Sequence, residues 1–167
     1  MQRNKNGIFT TVVEKTPESY AFKADGKMIN DPHAFCLRGR EVFGKRTGEA
    51  ETAVVKNTVF EDDFSYDPSE LILYKLHVRG FTADKASGVA HPGTFKGLTE
   101  KIPYLKKLGI TGVLLMPSYE FDECLPGNEL NFWGYGGVNS FFFAPKTSYA
   151  SESSRAYEEF GETVKKL

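Results

Sequence analysis

The residues whose types could do chemistry cluster in a few places along the 167-residue chain. In the stretch 118–151, Asn131-Phe132-Trp133-Gly134-Tyr135-Gly136 sets Trp133 and Tyr135 two positions apart, amid many other aromatics. Aromatic faces accept apolar ligand surfaces without needing charge, although the same rings also serve to pack a loop. Glu120, Asp122 and Glu123 have a spacing that an acid/base pair or a cation cluster would use. Solvated loop charge is the commoner outcome for such a run and is the expectation here. His77 and Arg79 sit in the apolar run 71–81. Inside a parallel strand buried on both faces such groups need polar partners, so they read as a structural network beneath a site, with direct ligand contact as the alternative. His91, with no nucleophile nearby, reads as polar surface. Asn131 and Gly134 read as loop geometry. Cys36 and Cys124 lack metal spacing and read as two reduced thiols. No metal, cofactor or catalytic residue is assigned to this chain.

The elements that must position these residues are of two kinds. Lys and Arg (21) balance Asp and Glu (22), for a net charge of −1, which disfavours nucleic acid as a partner because binding a phosphate backbone needs surplus positive charge. With 40% hydrophobic and 26% charged residues the composition is that of a globular domain, and no window is apolar enough to span a bilayer. Without an export signal or a span, no membrane partner and a cytoplasmic location are expected. Residues 7–14 and 19–25 alternate in β fashion, and Asp25-Gly26 signals a hairpin turn. Residues 36–51 read as a surface connection, and 52–60 as a further strand.

From Leu71 the pattern becomes strand (71–81), loop (87–94), helix (94–109) and strand (110–116), a βαβ unit of an α/β fold with its two strands parallel. Phe95, Leu98, Ile102, Leu105 and Leu108 form the helix stripe, Gly109 its stop, and Pro103 a local conflict. On the first strand, Leu73, Lys75, His77, Arg79 and Phe81 share one face. The stretch 118–151 is read as one long loop, and loops of that length in compact domains are usually functional. Ser153 or Ser154 is expected to cap a last helix burying Ala156, Phe160, Val164 and Leu167.

The segments LILYKLHVRGFT, GTFKGLTEKIPYLKKLGITGVLLMP and NFWGYGGVNSFFFAPKTSYAS resemble the opening of the catalytic barrel in glycoside hydrolase family 13, the α-amylase superfamily, and within it the pullulanase, isoamylase and glycogen-debranching group. YAFKADGKMINDPHAF resembles the end of the β-sandwich, starch-binding-like module that precedes this barrel, with His33 where the family usually has Tyr. The resemblance implies residues 1–60 as the closing part of that module with its linker. It implies 70–167 as the first two strands and two helices of a (β/α)8 TIM barrel. It also implies an α-glucan polysaccharide partner for the parent enzyme and action on α-1,6 linkages of glycogen, starch or pullulan. Tyr135 aligns with the family tyrosine that stacks on a sugar ring, with Trp133 beside it and His77 and Arg79 in support. The family's catalytic carboxylates follow later barrel strands, so this stretch alone is expected to be a truncated, inactive fragment. Unpaired barrel strands lead us to expect self-association. A non-catalytic α-glucan-binding module is the alternative. A nucleotide-binding βαβ unit is disfavoured because no glycine-rich phosphate loop follows either strand.

Overall fold

The computed structural model describes residues 1–45, 51–54, 65, 67–124, 129–136 and 140–167. In the N-terminal portion, β1 (Gln2–Arg3) pairs antiparallel with β2 (Phe9–Thr10). β3 (Ser19–Tyr20) is followed by a hairpin of β4 (Phe22–Ala24) and β5 (Lys27–Ile29). Asp25 and Gly26 close that hairpin with φ of 50° and 77°, the left-handed pair that a tight two-residue turn demands. β structure over 7–14 is confined to Phe9 and Thr10, and Val12 and Val13 are exposed.

The segment read as a surface connection is partly core. β6 (Leu37–Arg38) and β3 flank β7 (Glu51–Ala53) in a three-stranded sheet, and Ala34, Cys36 and Leu37 are buried. Leu37 packs with Ala34, Phe141 and Ala144, joining sequence neighbourhoods about a hundred residues apart. Such a long-range contact leaves no local periodicity to read. Positions 55–60 of the expected strand 52–60 lie outside the described residues.

The βαβ reading holds in outline. β8 (Leu73–Leu76) pairs parallel with β9 (Gly112–Leu115), in the register Leu73↔Gly112 to Leu76↔Leu115. The first strand is shorter than expected, however. It stops at Leu76, and His77 becomes the N-cap of a short helix, α1 (Val78–Thr82), its Nδ1 accepting the Gly80 N–H at 3.0 Å. His77, Arg79 and Phe81 therefore do not continue the face of Leu73 and Lys75, because a cap bond that satisfies a helix-end N–H outweighs continued extension here.

The crossover contains two helices, α2 (Phe95–Glu100) and α3 (Ile102–Lys107), broken at Lys101 where Pro103 enters as the second residue of α3. Proline has no N–H to give and is tolerated in a first turn. Thr94 caps α2 by accepting the Gly97 N–H at 3.0 Å, and Gly109 (φ 78°) ends α3. The break rotates the stripe, so Phe95, Leu98 and Leu105 are buried while Leu108 is exposed. A Cβ at Gly97 would lie 2.1 Å from the His91 carbonyl oxygen, which explains glycine in a helix interior. Leu76, Leu98 and Leu105 form one cluster; Val78, Phe95, Phe121 and Tyr149 form another.

The stretch 118–151 is not one loop. β10 (Tyr119–Glu120) pairs antiparallel with β11 (Phe141–Pro145) through a bulge. Residues 125–128 and 137–139 within it lie outside the described residues. The last helix, α4 (Ala156–Lys166), has Arg155 at its N-cap without a side-chain cap bond, so neither Ser153 nor Ser154 caps it. It buries Ala156, Glu159, Gly161 and Thr163, whereas Val164 and Leu167 are exposed. Glu159 accepts the backbone N–H groups of Lys96 (3.1 Å) and Ser151 (2.9 Å), tying α4 to the start of α2. Among the described residues no helix is long and apolar enough to cross a membrane.

Candidate functional site

Trp133 and Tyr135, from one sequence motif, meet His77, from the distant apolar run 71–81, in one aromatic cluster. Trp133 lies edge-on to His77, centroids 6.0 Å apart, and edge-on to Tyr135 at 6.2 Å. Tyr135 meets Phe121 edge-on at 4.9 Å. Trp133 is 63% exposed, so its surface is available to a ligand. Tyr135 is half-buried, and its hydroxyl is buried with no hydrogen-bond partner among the described residues. Burial, and then the neighbouring Tyr119, push its pKa up, keeping it a neutral phenol. The Asn131 side-chain carbonyl accepts the Trp133 N–H at 3.1 Å, and the Asn131 N–H donates to the Glu123 carbonyl at 2.8 Å; this turn presents the tryptophan.

His77 has two partners. Nδ1 accepts from Gly80, which leaves Nε2 to carry the proton of the neutral ring and to meet the Tyr149 hydroxyl at 3.2 Å. Burial, then the Arg79 charge, hold its pKa below the ordinary histidine value. A folded state that resists protonation binds fewer protons than the unfolded chain below about pH 6.5, so this part of the stability is lost as pH falls below that point. We expect the urea midpoint to drop between pH 7.5 and 5.5, and to drop less in His77→Asn, whose amide oxygen can cap α1 without titrating. Equal drops in both proteins would contradict this assignment.

The three loop acids are not solvated charge. Glu120 and Glu123 are buried, and both meet Lys146, which is 0% exposed. Lys146 Nζ donates to Glu120 Oε1 (2.8 Å), Glu123 Oε2 (2.8 Å) and the Phe121 carbonyl (3.0 Å), using all three ammonium donors, and lies 4.3 Å from the Phe121 ring centroid. The other carboxylate oxygens are also engaged: Glu120 Oε2 accepts the Thr147 N–H and Glu123 Oε1 the Gly44 N–H, each at 2.8 Å. Asp122 pairs with Arg40 at 3.3 Å. The expectation fails because the counter-charges arrive from distant positions. Among the described residues, no three His, Cys, Asp or Glu side chains converge as a metal site.

Arg79 places its guanidinium 4.5 Å from the Phe43 ring centroid, and its charge acts on His77. Phe43 stacks on Phe132 (5.5 Å) and on Tyr149 (6.0 Å). His91 is apart, bonded to Glu100 at 2.7 Å. Cys36 and Cys124 are buried thiols, and burial pushes Cys36 up to about 11. Phe43, Lys146 and Tyr149 were missed in the sequence. The apolar run Phe141–Pro145 followed at once by a lysine was the available signal for a buried cation.

No family model matches the chain. The chain is 33% identical to isoamylase 1, chloroplastic, of Arabidopsis thaliana over 90% of its own length and 22% of that protein. It is 32% identical to isoamylase 3, chloroplastic, of Oryza sativa subsp. japonica over 99% of its length and 26% of that protein. Among solved structures, pullulanase from Anoxybacillus sp. LM18-11 complexed with maltotriose matches 99% of the chain and 26% of its own, with a TM-score of 0.72 and 26% identity. The chain thus spans about a quarter of the length of these relatives. These likenesses to isoamylases, pullulanases and glycogen-debranching proteins fit the debranching group of glycoside hydrolase family 13.

Proposed function

We propose that the chain is part of a debranching glycoside hydrolase acting on α-1,6 linkages of α-glucans, and that it contributes sugar-binding surface and not the reacting acids. In this reading residues 70–167 are the opening of a (β/α)8 barrel, and 1–60 the end of a starch-binding-like module with its linker. Trp133 and Tyr135 contact the glucan, while His77 and Arg79 hold their surroundings. The observation that carries it is the exposed Trp133 set edge-on beside Tyr135 and His77 in a chain of debranching descent. The Anoxybacillus relative was solved with maltotriose and with maltotetraose, which supports a linear α-glucan as the ligand class.

A retaining glycosidase needs two carboxyl groups about 5–5.5 Å apart, one of them free to protonate the leaving oxygen. The buried acids nearest the aromatic cluster, Glu120 and Glu123, are committed to Lys146 and to backbone N–H groups, so they are poor candidates for proton transfer. The purified chain is therefore expected to release no reducing ends from pullulan or amylopectin. Release that scales with protein and survives further purification would overturn this part of the proposal.

A further inference from the structure

We propose that the 39–45 turn, which precedes the barrel-like portion, forms one wall of the candidate glucan site, with Phe43 as a positioning residue; this rests on the glucan reading above. Phe43 lies against three residues of the later chain: the Arg79 guanidinium at 4.5 Å, the Phe132 ring at 5.5 Å and 21°, and the Tyr149 ring at 6.0 Å and 23°. The turn is fixed on both sides of this ring. Gly44 donates its N–H to Glu123 Oε1 at 2.8 Å, and Arg40 pairs with Asp122 at 3.3 Å where both side chains are nearly buried, at 13% and 12% exposure. Gly44 adopts φ +77°, and a Cβ there would lie 3.0 Å from Leu130 Cδ2.

The turn thus grips the strip 130–133 at two points, Gly44 on Leu130 and Phe43 on Phe132, immediately before Trp133. A solvated linker would need neither the near-buried ion pair nor the close backbone approach. Stacked rings and a cation over a ring fix orientation as well as volume, which an aliphatic side chain of similar bulk does not. Phe43 accordingly sets the position of the Arg79 side chain and of the tryptophan that follows Phe132.

Phe43→Leu and Phe43→Tyr test this, because leucine keeps the bulk and tyrosine keeps the ring. Two signals are read on the full chain. The first is the ring-current shift of the Arg79 side-chain protons without ligand. The second is emission from Trp133, the single tryptophan of the sequence, titrated with maltoheptaose. Phe43→Tyr should keep both. Phe43→Leu should abolish the upfield Arg79 shift and weaken maltoheptaose binding by roughly tenfold. Wild-type behaviour of Phe43→Leu in the Arg79 signal would overturn the positioning role, whatever maltoheptaose does. A wild-type chain indifferent to maltoheptaose, with the Arg79 signal still lost in Phe43→Leu, would overturn the glucan wall and leave Phe43 as the residue that positions Arg79.

Discussion

Lys146→Met should be the most damaging single substitution in the chain. It removes the cation that bridges Glu120 and Glu123 while leaving both carboxylates in place, at 2.8 Å from where the ammonium stood. Breaking a buried ion pair from one side costs roughly 3–5 kcal/mol, because the remaining charge has neither water nor partner. For a domain of this size that corresponds to a thermal midpoint lowered by roughly 6–20 °C. Glu120→Gln should cost less, since Lys146 then keeps Glu123 and the Phe121 carbonyl. The triple replacement Lys146→Met, Glu120→Gln, Glu123→Gln should recover part of the loss, as it leaves no stranded charge. Thermal unfolding followed by circular dichroism checks the series. A Lys146→Met protein as stable as wild type would show that the triad is solvated after all. The substitution should also loosen the 39–45 turn, because Glu123 holds both Lys146 and the Gly44 N–H.

Concentration-dependent association is the second large effect we expect. β8 and β9 form a parallel sheet of two strands, with no third strand beside them among the described residues. Parallel sheets are stable where both faces are covered and the edges paired. Here Ile72, Leu73 and Leu114 are about half exposed, as are Tyr104 and Leu108 near the end of the crossover, and Phe142 and Phe143 on β11. Exposed large apolar side chains in such number promote contact between copies. Sedimentation across the micromolar range should show species larger than a monomer, and Leu114→Lys, which places charge on the exposed strand, should shift the distribution back. A compact monomer at every concentration would contradict the expectation.

What the sequence revealed is local. The Asp25-Gly26 turn, the Thr94 to Gly109 crossover with its interruption at Pro103, and the apolar Gly112–Leu115 strand each follow from neighbours a few positions apart. Their backbone preferences survive into the fold. The errors came where a distant partner decides. His77 reads as mid-strand until its ring caps Gly80 and reaches Tyr149, 72 residues on. Glu120 and Glu123 read as solvent-facing until Lys146 appears between them, and Phe43 reads as linker until Glu123, 79 residues from Gly44, fixes the turn. In the candidate site, the aromatic pair Trp133 and Tyr135 was legible from composition and family resemblance. The scaffold beneath it, built from charges and rings far apart in sequence, was not.

Isothermal calorimetry with maltoheptaose, comparing wild type with Trp133→Ala, bears most directly on the claim that this stretch carries glucan-binding surface. We expect saturable heat from the wild-type chain and its loss in the variant, with thermal stability unchanged because Trp133 is largely exposed. No heat from the wild-type chain, or identical isotherms from the two proteins, would contradict it.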